Sequence, residues 1–265
     1  MSLEIIPTKV PFSDGSSIIE LDAFCFFPEL GKEVKTVSIF THGFTSHKGS
    51  LLNWSLRLAE EGVAGILFDL PGHYLGCFTE LKSFESFTRN CNQLFPNAFK
   101  ALKNKIPSID ETETKLILGG HSLGALLSLK AIEDPSFKSF HSLQAVCVGL
   151  GFPPKGVTHI FDTPFYKSTL LIRGQLVSPS IHPDKMFPWI KEEKENLKVS
   201  NQNIFLLTGE DDFVVGKDGA ERLKEKLEDL GNHVDLEKPA KLAHHLPENA
   251  APHIKKWLKD KGLFN

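Results

Sequence analysis

The chain has 265 residues, 41% of them hydrophobic and 24% charged, an ordinary globular composition with room for one large domain. Its formal charge is −3 and no Lys/Arg tract stands out, which excludes a basic nucleic-acid-binding footprint. The 21 phenylalanines, against 2 tyrosines and 3 tryptophans, supply bulky apolar rings for a core or for an apolar pocket.

No run approaches the ~18 consecutive apolar residues of a transmembrane segment. The N-terminus carries Glu4 and Lys9 and lacks an apolar h-region, so no secretory signal is visible. Cys25, Cys77, Cys91 and Cys147 are scattered without a CxxC pair. They read as small buried hydrophobes in a reduced, cytoplasmic compartment.

Residues 17–27 and 36–41 read as strands separated by a turn at 28–31. They precede any helix and are expected to pair antiparallel at one edge of a sheet. Residues 50–61 have helical spacing, with Gly62 as a stop. The apolar run 63–70 predicts a strand buried on both faces. From about 83 to 105, Phe84, Phe87, Cys91, Leu94, Ala98 and Leu102 step by three or four and mark one buried helical face, which Pro96 kinks or divides. There follow a strand at 114–120, a helix at 122–132, strands at 143–151 and 203–210, and helices at 219–231 and 247–261. This alternation predicts an α/β fold, a mostly parallel sheet with helices on both faces. Residues 152–202 far exceed a usual connection and read as a small lid or cap insertion within one domain spanning 1–265. The Lys/Glu alternation from Lys191 to Lys198 reads as a solvated helix face.

The main chemical signal is Gly120-His121-Ser122-Leu123-Gly124, a G-x-S-x-G with an apolar strand leading in and a small-residue helix leading out. That context predicts a nucleophile elbow. The tight turn needs very small flanking residues and holds Ser122 Oγ clear of the sheet, beside the positive end of the next helix. A serine hydroxyl needs an adjacent base, usually a histidine oriented by a buried carboxylate. Both occur downstream: Asp211 and Asp212 just past a buried strand, then His244 and His245. The remaining histidines have no motif context, and His121 reads as packing within the elbow. No H-x-x-x-H or H-E-x-x-H is present, so no metal site is expected.

With these motifs the chain resembles the α/β-hydrolase superfamily over nearly its full length, and within it small bacterial carboxylesterases and monoacylglycerol-lipase-like serine hydrolases. The resemblance implies the α/β-hydrolase fold. Its G-x-x-D pattern falls on Gly209-Glu210-Asp211-Asp212 and favours Asp212 as the acid, with Asp211 as the alternative. Its small-turn–His–apolar pattern falls on Ala243-His244-His245-Leu246 and favours His245 over His244, although His244 then stands where a glycine is common. The run from His42 to Gly49 resembles the oxyanion loop, which implies Phe44 and Leu123 as backbone N–H donors and His42 as a brace. Asp69-Leu70-Pro71-Gly72-His73 resembles a D-x-P-G-H-G segment with Tyr74 in place of the last glycine, which implies an altered loop, one that can face the substrate.

The expected activity is hydrolysis of a carboxylic ester or thioester of a small molecule with an apolar acyl group. The triad would be Ser122, His245 and Asp212, working through an acyl-enzyme without cofactor or nucleic-acid partner. Amide cleavage, C–C lysis, acyl transfer, or ligand binding without turnover are the alternatives. Phe152, Phe161, Phe165, Tyr166, Phe187 and Trp189 fall in the insertion. They either cover the acyl site as substrate-binding residues or pin an irregular loop to the sheet.

Overall fold

A computed structural model describes residues 3–15, 17–28, 33–157 and 164–264. Eight strands form one sheet in the order β1-β2-β4-β3-β5-β6-β7-β8. They are β1 (Glu4–Asp14), β2 (Ser17–Phe27), β3 (Thr36–Thr41), β4 (Ala64–Phe68), β5 (Lys115–His121), β6 (Ser142–Val148), β7 (Asn203–Leu207) and β8 (His233–Glu237). From β4 to β8 every pairing is parallel. These inner strands are nearly continuous apolar runs because helices cover both faces; every residue of β3 and β4 is buried.

The expected antiparallel edge exists with different partners. β2 pairs with β1 through a tight hairpin at Gly15, whose φ is +67°, and with β4 on its other side. The segment 36–41 instead lies at the centre, between β4 and β5. β1 carries Glu4, Pro7, Lys9 and Pro11 and shows no clean alternation, which hides it in the sequence.

The helices are α1 (Leu52–Ala59), α2 (Phe84–Asn90), α3 (Leu94–Lys105), α4 (Leu123–Ala131), α5 (Pro164–Gln175), α6 (Pro183–Glu195), α7 (Gly219–Asp229) and α8 (Ala251–Asp260). The expected helix at 83–105 divides at a short 3-10 turn, Cys91–Gln93, and Pro96 sits in the first turn of α3, where its missing N–H costs no intrahelical bond. One apolar layer joins α2, α3, α4, α6 and α7 to the sheet, with Phe87, Phe95, Leu126, Met186 and Leu223 fully buried. The other is built by α1 and α8, where Trp54, Leu58, Ile254 and Leu258 pack against Phe40 and Phe205.

Within 152–202, α6 belongs to the core: Met186, Phe187, Trp189 and Ile190 join the larger layer. α5 differs, exposing Leu171 and Ile172. The chain after α5 is tied to the loop after β4, where Tyr74 N donates to Leu176 O at 2.9 Å and Ser178 N donates to Gly72 O at 2.8 Å. Cys25, Cys91 and Cys147 are buried, and burial pushes each thiol up to about 12, so they pack as protonated apolar groups. Cys77 is partly exposed. No helix among the described residues is long and apolar enough to cross a membrane.

Candidate active site

β5 ends at His121, Ser122 follows with φ +50° and ψ −106°, and α4 begins at once. Such a backbone costs a non-glycine residue about 1–3 kcal/mol and persists only where its surroundings enforce it. Here Ser122 N donates to Val148 O at 2.8 Å, and Ser122 O accepts from Leu126 N at 3.1 Å. Gly120 and Gly124 make the turn possible. A Cβ on either would run into the Thr41 carbonyl oxygen, and one on Gly124 would also lie 2.8 Å from His42 O.

The loop after β7 carries Asp211 and Asp212. Asp212 is buried, and its Oδ1 accepts from Val214 N at 2.9 Å and Val215 N at 3.0 Å. These two bonds aim Oδ2 at a histidine, which is His244: its Nδ1 lies 2.8 Å away. The carboxylate thus pairs with His244 and not with His245, the residue that the motif favoured. The two adjacent rings stand perpendicular, with centroids 5.8 Å apart. The His244 ring turns inward against Asp212 and His121, while His245 is exposed at the cavity mouth. Asp211 has a separate task, accepting from Leu242 N at 3.0 Å and thereby fixing the approach to the histidine turn.

His121 is buried between two backbone segments. A Cβ at Gly43 would lie 2.7 Å from its Nδ1, and one at Gly149 3.0 Å from its Nε2. Burial, followed by the neighbouring imidazoles, holds its pKa well below the usual histidine range, so the ring stays neutral and acts as packing beneath His244.

The loop after β3 carries Gly43, Phe44 and Thr45 past Ser122. His42 is wholly buried; its Nε2 accepts from Leu70 N at 2.9 Å, so Nδ1 carries the proton and donates to Gly43 O at 2.8 Å. Burial pushes its pKa down to about 3, which fixes this neutral brace. Asp69, fully buried, accepts from Lys48 N at 2.7 Å and from Lys48 Nζ at 2.6 Å, closing the far end of the same loop. Tyr74 does not face the cavity; it stacks on Phe78 at 4.4 Å, and its hydroxyl donates to Glu80 Oε1 at 2.6 Å.

Ser122, His244 and His245 open onto a cavity of about 200 Å³. Of the aromatic residues expected there, Phe187 lines it, with its ring edge-on to Phe44 at 5.5 Å. Trp189 points the other way, into Phe84 and Phe87. Phe152 packs under the Arg222 guanidinium, away from the cavity. Helical rotation explains the first contrast: positions two apart on α6 face opposite sides. Phe161 lies outside the described residues, as do the side chains of Phe165 and Tyr166.

Two cations line the cavity that the sequence reading did not place there. Arg173 Nη1 donates to Thr45 Oγ1 at 2.8 Å. Lys194, read from its neighbours as part of a solvated face, is 8% exposed and donates from Nζ to Gly151 O at 2.7 Å. Its spacing of seven from Phe187 and four from Ile190 was the available signal, since that spacing puts it on their face of α6. Among the described residues, no group of histidine, cysteine and carboxylate side chains is arranged to hold a metal ion.

No protein-family model matches the chain, and no curated protein matches it. Solved structures do. A carboxyl esterase from Bacillus coagulans superposes with a TM-score of 0.62 at 13% identity, covering 98% of this chain and 99% of that one. An esterase from Pyrococcus furiosus gives 0.60 at 15%, covering 97% and 90%. An acylaminoacyl peptidase from Pyrococcus horikoshii gives 0.58 at 14% over 96% of this chain, which spans only 41% of the peptidase. At such identities the likeness establishes architecture, and the architecture of this chain is the α/β-hydrolase fold.

Proposed function

We propose that this protein is a serine hydrolase that cleaves a carboxylic ester or thioester through Ser122, His244 and Asp212. The observation that carries the reading is the Asp212–His244 hydrogen bond of 2.8 Å, set in the same cavity as a serine on a strained strand-to-helix turn. A proton held on Nδ1 by the carboxylate leaves Nε2 unprotonated and able to accept one.

Ser122 Oγ attacks the substrate carbonyl carbon as its proton passes to His244 Nε2. The carbonyl oxygen becomes an oxyanion, received by the N–H groups of Phe44 and Leu123. Leu123 opens α4, so its N–H has no acceptor within the helix. One such donor is worth about 3 kcal/mol in the transition state. Collapse of the tetrahedral intermediate expels the alcohol or thiol with the proton from His244. Water then attacks the acyl-enzyme with the same histidine as base, releasing the acid. His42, Lys48 and Asp69 keep the oxyanion loop in place without touching substrate. In this reading residues 152–202 serve as cap and pocket wall of one catalytic domain. α6 supplies Phe187 and Ile190 as wall, and α5 lies at the mouth.

A fluorophosphonate probe and a series of p-nitrophenyl esters test the reading. Labelling of one serine, abolished in Ser122→Ala, together with ester turnover is the expected result. A folded protein that neither labels nor turns over esters overturns it, as does labelling that persists in Ser122→Ala.

A further inference from the structure

The described lining of the cavity above Ser122 holds a buried cation. That lining includes Arg173 and Lys194 and no Asp or Glu, in a chain whose formal charge is −3. Asp212 does not line it and is hydrogen-bonded to His244. Lys194 is the more unusual of the two cations. Its ammonium has three donors, of which one goes to Gly151 O, and no carboxylate among the described residues forms an ion pair with it. Beside it, Phe187, Ile190, Val214 and Val215 make an apolar wall. Burying an ammonium that no carboxylate contacts is unfavourable, with Glu195 acting on it only at a distance, and the penalty is relieved when a ligand brings a negative charge into contact.

We propose that the ester cleaved here carries a carboxylate of its own, which binds Lys194 Nζ at the end of the apolar wall. The proposal rests on the hydrolase reading and narrows its substrate class from apolar acyl esters to esters with an apolar stretch and an acidic group. Burial pushes the Lys194 ammonium down to about 8, and an incoming carboxylate would reverse that shift and hold the charge. A purely structural lysine, present only to satisfy the Gly151 carbonyl, would need a donor but not a charge. That difference is testable.

Two matched ester pairs separate the possibilities. The first sets the p-nitrophenyl monoester of adipic acid against p-nitrophenyl hexanoate, with the carboxylate on the acyl side. The second sets the hexanoate ester of p-hydroxybenzoate against phenyl hexanoate, with the carboxylate on the alcohol side. The wild-type protein should prefer the acidic member of one pair by about tenfold or more in kcat/KM, the scale of one charge-assisted hydrogen bond. The preference should lie mainly in KM, and the pair that shows it tells which side of the ester Lys194 reads. Lys194→Gln keeps a donor for Gly151 and should erase the preference, whereas Lys194→Arg should retain it. No preference in either pair overturns the proposal, and so does a preference that survives in folded Lys194→Gln. If Lys194→Gln does not fold, the wild-type pairs and Lys194→Arg still decide. A protein unlabelled at Ser122 and inert to every ester fails the hydrolase reading instead. Binding of adipate over hexanoate, read as a shift in Tm and lost in Lys194→Gln, then decides the Lys194 site separately.

Discussion

Asp212→Asn perturbs one atom and should abolish the proposed activity without unfolding the protein. In the native site Oδ1 accepts two backbone N–H groups, from Val214 and Val215, while Oδ2 faces His244 Nδ1 at 2.8 Å. An asparagine amide must keep its oxygen on the two backbone donors. Its NH₂ then points at His244 Nδ1, which has to become an acceptor, so the imidazole proton moves to Nε2. That tautomer cannot take the Ser122 proton. The expected loss in kcat is about 10⁴-fold, or roughly 5 kcal/mol of transition-state stabilisation. Asp211→Asn is the matched control. Its Oδ1 accepts only from Leu242 N, an amide oxygen serves equally well, and activity should stay within about threefold of wild type. The assay is kcat and KM on the best p-nitrophenyl ester, with circular dichroism and Tm to verify folding. Equal losses in the two variants, or an active and folded Asp212→Asn, would refute the tautomer reasoning.

Further outcomes follow from the same geometry. His244→Ala should cost about 10⁴-fold in kcat, as expected for removal of a triad base. His245→Ala should alter mainly KM, and the reverse ranking in steady-state kinetics would exchange their roles. His42 and His73 are buried and neutral, with pKa values pushed by burial down to about 3 from 6.5. Below pH 6.5 the unfolded chain therefore binds protons that the folded one does not. Stability should fall by about 1 kcal/mol per pH unit for each ring as pH drops from 6.5 towards 4. Thermal melts that stay flat between pH 7.5 and 4.5 would contradict this, with ~6.5 as the onset. Lys48→Met removes the partner of a fully buried carboxylate and should cost about 3–5 kcal/mol of stability, measured by denaturant unfolding. A cost below about 1 kcal/mol would mean that the backbone donor on Asp69 suffices.

Local features were legible in the sequence because their causes are local. The elbow at Ser122 follows from two glycines flanking a serine between an apolar strand and a small-residue helix. The buried strands at 64–68 and 203–207 follow from short apolar runs that only a doubly covered sheet accommodates. Gly62 and Gly231 end α1 and α7 with positive φ, as their positions at the end of periodic segments imply. β1 escaped because an edge strand mixes charge and proline into its pattern, and β8 because His233-Val234-Asp235-Leu236-Glu237 is mostly polar.

By itself, then, the sequence determined the alternating architecture, the tight strand-to-helix turn at Ser122 and the short list of acids and bases that could serve it. Periodicity, turn chemistry and residue type act within a few positions along the chain. Only the tertiary structure decided between neighbours. His244 and His245 are adjacent in sequence, yet their rings stand at right angles, and the one reached by Asp212 depends on how the loops after β7 and β8 meet. Trp189 and Phe187 differ by two positions on α6, and helical rotation sends one into the core and the other to the cavity. Lys194 is the clearest case. Its Lys/Glu neighbours describe a solvated face, but α6 rests on α4 and the sheet, so this one ammonium is turned inward beside Gly151. Charge along a chain is a local property, whereas the sign of the charge lining a cavity depends on which residues the fold brings together there.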